Sequence, residues 1–131
     1  MLGIVLITSF LYVALHTYFI RRAAKARGLE AGWGRCILLV LATALNGLLF
    51  ELAIEFLTPA PPVAEADIPW LIFSLLFCGY FWSTLGISKI ILRCGWWQAF
   101  GVQLRAFCYW AITVFVLAIA LLGVAKLISL F

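Results

Sequence analysis

Two glutamates stand four residues apart in a strongly apolar part of the sequence, within the stretch GLLFELAIEF (47–56). In a helix this spacing places Glu51 and Glu55 on one face, one turn apart. An ionised carboxylate deep in a bilayer is costly, so such a group is expected to be protonated, paired or turned towards a wet cavity. The chemistry of this pair therefore depends on whether the surrounding run spans a membrane.

The other residues that could do chemistry are few. His16 is the single histidine, and it lies near Tyr12 and Tyr18. It could ligate the metal of a haem or chlorophyll, but one histidine cannot supply two axial ligands within this chain. We expect instead an interfacial histidine bonded to a neighbouring side chain.

Catalytic and metal-binding sets are not recognisable in the sequence. The four cysteines form no CxxC pair, so the usual ligands of zinc or iron–sulfur clusters are missing. One histidine and five acidic residues assemble no catalytic triad, and no glycine-rich phosphate loop or HExxH motif occurs. We expect no catalytic residues, no metal and no cofactor, although bound lipid is compatible with the sequence.

The composition is that of a membrane protein. Hydrophobic residues make up 67% of the 131 residues and charged residues 11%, whereas a soluble domain has about 45–50% and about 25%. Four apolar runs approach or exceed the roughly 20 residues that cross a bilayer, at 2–20, 36–57, 68–92 and 106–131. Because a backbone in lipid must satisfy its own hydrogen bonds, these runs are predicted to be helices. The expected fold is all-α, a single integral membrane four-helix bundle.

The connections between the runs alternate in charge. The second connection carries Glu65 and Asp67 and no base. The first and third connections are basic, and their cations are Arg21, Arg22, Lys25, Arg27, Arg35, Arg93 and Arg105. The excess of Lys and Arg marks the cytoplasmic side, so both termini are predicted to lie outside. The cations also suit anionic lipid headgroups, and topology explains the net charge of +4 without a nucleic-acid partner.

Four polar residues are expected at membrane depth: Asn46, Glu51, Glu55 and Lys126. Glu51 lies roughly 7 Å outside the middle of the second run, at about 1.5 Å per residue. Lys126 falls in the same leaflet and could pair with Glu55 or, less readily, with Glu51. Two roles stay open for this group, namely fixing helix–helix register or forming a proton or cation site with Asn46 along its path.

The third run contains the sequence CGYFWSTLGIS (78–88). Gly79, Ser83 and Gly86 recur at i, i+4 and i+7, which makes one stripe of small residues. Such a stripe allows another helix backbone to approach closely.

The order of elements resembles a known membrane anchor. LHTYFIRR (15–22) ends a first span and begins a basic loop, and a second span, a proline-bearing loop and the aromatic span CGYFWSTLG follow. This arrangement resembles the membrane-anchor region that precedes the catalytic domain of some bacterial membrane-bound metallophosphoesterases. That family's activity needs Asp, His and Asn metal ligands in a soluble domain. This chain stops before any such domain. The resemblance therefore implies an anchor-like four-helix unit without phosphatase activity.

Size and topology are also similar to the membrane-associated eicosanoid and glutathione transferase family. That family carries an Arg-x-x-x-Asn-x-x-Glu signature on its second helix. Arg35, Asn46 and Glu51 do not have this spacing, which argues against such an enzyme.

Three functions follow for a multi-pass protein of, we expect, a bacterial inner membrane. The first is a non-catalytic anchor or accessory subunit, packed with different membrane subunits rather than with copies of itself. The second is a small proton- or cation-coupled transporter or channel that uses Glu51. The third is a lipid- or thiol-modifying membrane enzyme with its ligand near Arg35 and Arg105.

Overall fold

A computed structural model describes residues 2–57 and 70–128 of the chain, and the described part is four helices. They are α1 (Leu2–Lys25), α2 (Trp33–Leu57), α3 (Trp70–Leu92) and α4 (Trp96–Ile128). No strand occurs in these two ranges. The expected all-α architecture with four helices is confirmed.

The helices form a ring in which each contacts two neighbours. α1 packs against α2 and α4, and α3 packs against the same two helices. In the described ranges, the diagonal pairs α1–α3 and α2–α4 make no backbone contact. This arrangement leaves room for a central space between the four helices.

Three of the described helices are long and apolar enough to cross a membrane, at Trp33–Leu57, Ser74–Leu92 and Trp96–Lys126. This finding supports a membrane protein. That α1 also spans, and that both termini lie outside, stay predictions. The predicted run ends at 68–69 and 129–131 lie outside the described residues, as do Glu65 and Asp67.

The largest difference from the expected boundaries is in α4. The sequence predicts a span over 106–131 that follows a basic connection, but the helix begins at Trp96. Its 33 residues reach about 50 Å at 1.5 Å per residue, well beyond a hydrocarbon core of about 30 Å. The residues from 96 to 105 are therefore helical and pack against α1 and α3 instead of lying as a loop.

The buried core lies at one end of the bundle, which we call the basic end because the connections 26–32 and 93–95 and their cations are there. Small side chains let the helices approach closely at this end: Ala23, Ala24, Ala99 and Ala106 are all at most 1% exposed. Larger side chains fill the space between them, namely Ile20, Leu39, Val40, Leu92 and Val102. Among the described residues, the opposite half of the bundle contributes none to this core.

Both connections at the basic end use the same helix stop. Leu29 N–H donates to the Ala24 carbonyl and Gly28 N–H to the Lys25 carbonyl, with Gly28 at a φ of 72°. This is the Schellman pattern, which requires a left-handed residue just after the helix. α3 ends in the same way, but there Arg93 takes the left-handed position with a φ of 52°.

The α4 start is held by a single contact between a backbone amide and a side chain. Gly95 N–H donates to the Gln98 side-chain oxygen at 3.1 Å, as in a capping box. The short connection 93–95 therefore fixes α3 and α4 as an antiparallel pair.

Candidate functional site

A cavity of about 560 Å³ lies between the four helices. The buried core borders the cavity on the side of the basic end. Along each helix, the residues that line the cavity lie mostly farther from the connections than the core residues do. Every helix contributes, and the lining is Tyr12, His16, Val40, Thr43, Ala44, Gly47, Leu48, Glu51, Tyr80, Thr84, Gln103, Phe107 and Trp110. One carboxyl group, one imidazole and several aromatic rings thus share one space.

Glu51 is the acidic residue of this lining. Its side chain is exposed rather than buried in the core, and the expectation that it faces protein or water rather than lipid stays a prediction. Glu55, one turn further along α2, is not part of the lining. Its pairing with Lys126 stays a prediction.

His16 is held by two aromatic neighbours. The Trp110 indole N–H donates to His16 Nδ1 at 2.5 Å, and the Tyr12 ring stacks on the imidazole with centroids 5.6 Å apart. Since Nδ1 accepts, the proton of the neutral ring lies on Nε2. The expected bond to a neighbouring side chain is what the structure shows.

Asn46 joins two helices rather than lining the cavity. Its amide is 9% exposed and donates to Ser83 Oγ at 2.9 Å and to Thr84 Oγ1 at 3.2 Å. Asn46 is not among the residues that line the cavity, and a place for it along a transport path stays a prediction. It acts as interhelical glue.

A second polar link joins α3 to α4. Gln103 Nε2 donates to Ser88 Oγ at 2.6 Å, and Ser88 Oγ donates to the Thr84 carbonyl at 2.8 Å. The sequence interpretation missed Gln103 because it placed that residue in a loop.

The small-residue stripe lies mainly against α2. A Cβ on Gly79 would sit 3.2 Å from the Phe50 ring, and Ser83 accepts from Asn46. Gly86 faces the Trp96 ring, 4.0 Å from a Cβ placed there. The predicted packing role is thus used within the chain, and the stripe is not an exposed surface for another subunit.

Several cations of the basic end rest on aromatic rings or helix backbones. Arg21 lies 4.4 Å above the Trp33 ring, and Arg22 lies 5.2 Å from that of Tyr109. Arg27 lies directly against Gly101, where a side chain would collide with its guanidinium group.

Arg105 donates to the Ala26 carbonyl at 3.2 Å, so it ties α4 to the first connection. Arg35, at the start of α2, is exposed, as are Lys25 and Arg93. A role of these cations in membrane topology or anionic-lipid binding stays a prediction.

The cysteines are all free thiols, at Cys36, Cys78, Cys94 and Cys108. Cys94 lies in the connection between α3 and α4, where burial raises the pKa of its thiol despite the opposing charge of Lys89. In the described ranges, no group of three His, Cys, Asp or Glu side chains is placed to hold a metal ion.

A helical spacing pattern marks much of this cavity in the sequence. Polar, aromatic or small residues recur every third or fourth position on each helix, which places them on one face. The pairs and triplets are Tyr12 and His16, Thr43, Gly47 and Glu51, Tyr80 and Thr84, and Gln103, Phe107 and Trp110. Comparing these four faces would have predicted a shared polar interior.

No protein-family model, curated protein or solved structure matches this chain.

Proposed function

We propose that this chain is a small multi-pass membrane carrier in which Glu51 takes up and releases a proton or cation inside the four-helix cavity. The supporting observation is the position of Glu51 among lining residues drawn from all four helices, none of which is Lys or Arg. Acidic residues within membrane spans are rare, and they often mark the pathway of an ion or a proton. We place the carrier in a bacterial inner membrane with the basic end in the cytoplasm.

The geometry suits a carrier that is closed on one side. The packed core of Ile20, Leu39 and Val102 blocks the basic end, and Glu51 lies on the other side of that block. Transport would require the small-residue contacts of the core to separate in a second conformation while Glu51 is neutralised by its cargo. A protonated or ion-paired carboxyl group lowers the cost of that movement through an apolar layer.

The test is a flux measurement with a matched control. Reconstituted vesicles with an imposed pH gradient should show protein-dependent proton flux, and Glu51→Gln should abolish it without preventing assembly. Glu55→Gln removes the same charge one turn away, outside the cavity lining, and should leave the flux within about twofold of the unmodified protein. Equal flux in the Glu51→Gln and unmodified vesicles would overturn the proposal.

A non-catalytic accessory subunit is the second candidate, and the shape of α4 favours it. Beyond Trp110 this helix exposes nearly all its large apolar side chains, among them Ile112, Val114, Phe115, Leu117, Leu121 and Leu122. Either lipid or another membrane subunit covers this surface. The inward use of Gly79 and Ser83 removes the small-residue stripe as an argument for a partner subunit.

Native mass spectrometry of the tagged chain, extracted in mild detergent from its own membrane, separates the two candidates. Different subunits in a fixed ratio would support the accessory role and name the process. A lone chain or a homo-oligomer would support the carrier. The enzyme alternative and the resemblance to metallophosphoesterase anchors both stay predictions. The positions of Arg35 and Arg105 support neither of them.

A further inference from the structure

A second, smaller space lies beside the central cavity, on the outer side of the bundle. A groove of about 240 Å³ lies between α2 and α3, and Gly47, Glu51 and Tyr80 line both spaces. The rest of the groove is apolar, formed by Phe50, Ile54, Leu76 and Phe77. Glu51 therefore stands between a polar interior and an apolar outer surface.

The two spaces together have a consistent chemistry. Aromatic rings of Tyr12, Tyr80, Phe107 and Trp110 surround the cavity that contains the Glu51 carboxyl group. Ring faces attract cations, most strongly when water is excluded, and a carboxylate adds a full negative charge. No Lys or Arg lines either space among the described residues, so an anion would meet no countercharge there.

A bare metal ion fits this site less well than an organic cation does. Hard cations take several oxygen ligands, and no group of three His, Cys, Asp or Glu side chains occurs in the described ranges. The cavity of about 560 Å³ falls in the size range of about 300–1,000 Å³ that is typical of drug-sized ligands.

We infer that the cargo is a lipophilic organic cation that enters from the bilayer between α2 and α3 and binds Glu51 in exchange for a proton. This inference rests on the proposed carrier function of the same site. The exchange balances: the neutral carboxylic acid releases one proton to water and the resulting carboxylate pairs with one monovalent cation. No covalent bond to the cargo forms.

Gly47 and Tyr80 line both spaces, so the proposed entry route passes between them. A Cβ on Gly47 would lie 3.8 Å from Tyr80 Cε2, which is ordinary contact, so alanine fits here while a larger side chain fills the passage. The Tyr80 ring in turn meets Phe50 edge to face, with centroids 5.6 Å apart.

The binding test uses two probes of the same shape and opposite charge. Tetraphenylphosphonium should bind the purified protein in calorimetry, and tetraphenylborate should not. Glu51→Gln should weaken tetraphenylphosphonium binding by about tenfold or more, while Glu55→Gln should leave it unchanged. Equal binding of both probes, or phosphonium binding that survives Glu51→Gln, would overturn the inference.

Two further variant pairs test the rings and the route. Tyr80→Phe keeps the aromatic face and should retain binding, whereas Tyr80→Leu should weaken it by roughly threefold to tenfold. Gly47→Leu should slow uptake of the probe from lipid vesicles, and Gly47→Ala should not. Uptake at the unmodified rate in Gly47→Leu would overturn the proposed route.

The failure of this inference differs from the failure of the carrier proposal. Glu51-dependent proton flux without tetraphenylphosphonium binding would leave the carrier and reject the organic cation. Glu51-dependent binding without any flux would leave the ligand class and reject transport. Thermal unfolding of each variant in detergent identifies any that fail to fold, and Glu51→Ala, which also removes the carboxyl group, replaces Glu51→Gln if the latter does.

Discussion

At the residue scale, buried polar groups are matched across helices with one exception. Trp110 meets His16, Asn46 meets two α3 hydroxyls, and Gln103 meets Ser88. Thr17 on α1 is 2% exposed, and in the described structure its hydroxyl has no hydrogen-bond partner. An unsatisfied buried hydroxyl costs stability that an apolar group of the same shape would not.

Thr17→Val should therefore stabilise the protein. The side-chain shape is kept and the unpaired hydroxyl is removed, which is worth about 1–3 kcal/mol. A higher midpoint of thermal unfolding in detergent would show this. Thr113→Val is the matched control, because Thr113 donates to the Tyr109 carbonyl at 2.8 Å and should gain nothing.

At the element scale, the two helix stops at the basic end differ in one residue. Gly28 adopts its left-handed backbone at little cost, whereas Arg93 carries a side chain at the equivalent position. Left-handed backbone costs an L-residue with a side chain roughly 1–2 kcal/mol. The α3 stop is thus the more strained of two otherwise alike turns.

Substitutions at these two positions should change the stability of the protein in opposite directions. Arg93→Gly should raise the unfolding midpoint and Gly28→Ala should lower it, each by an amount equivalent to about 1 kcal/mol. Arg93→Gln removes the same charge without freeing the backbone and serves as the control. An equal rise in Arg93→Gln and Arg93→Gly would attribute the effect to charge rather than to the turn.

The sequence predicted four helices because length and apolar content are properties of single runs. It placed the start of α4 too late, because the mixture of aromatic and basic residues over 93–105 suggested a loop on the membrane surface. In the structure Gln98 caps the helix and Gln103 bonds Ser88. It found Glu51 and His16 but not their shared cavity. Which faces meet depends on helix rotation, and rotation is set by packing between runs rather than by any one of them.

At the scale of the whole molecule, polarity is divided between two ends. Eight of the nine Lys and Arg residues lie at or beside the basic end, namely Arg21, Arg22, Lys25, Arg27, Arg35, Lys89, Arg93 and Arg105. The cavity lies on the other side of the packed core from these cations. An asymmetric molecule of this kind has a defined orientation in the bilayer.

Cys94 allows that orientation to be measured. With the other three cysteines replaced by alanine, a membrane-impermeant maleimide should label Cys94 only from the cytoplasmic side. Burial raises the pKa of this thiol, so less thiolate is present at neutral pH and labelling should be slow there and accelerate as the pH rises past the range of an ordinary thiol. Labelling from the outer side alone would invert the predicted topology.

The central claim is that the Glu51 carboxyl group exchanges a proton for a cation inside the four-helix cavity. The most direct measurement is proton release into weakly buffered detergent solution as tetraphenylphosphonium is added, followed with a pH-sensitive dye. The account predicts up to one proton released per cation bound, with release lost in Glu51→Gln and kept in Glu55→Gln. Undiminished release from Glu51→Gln would contradict it.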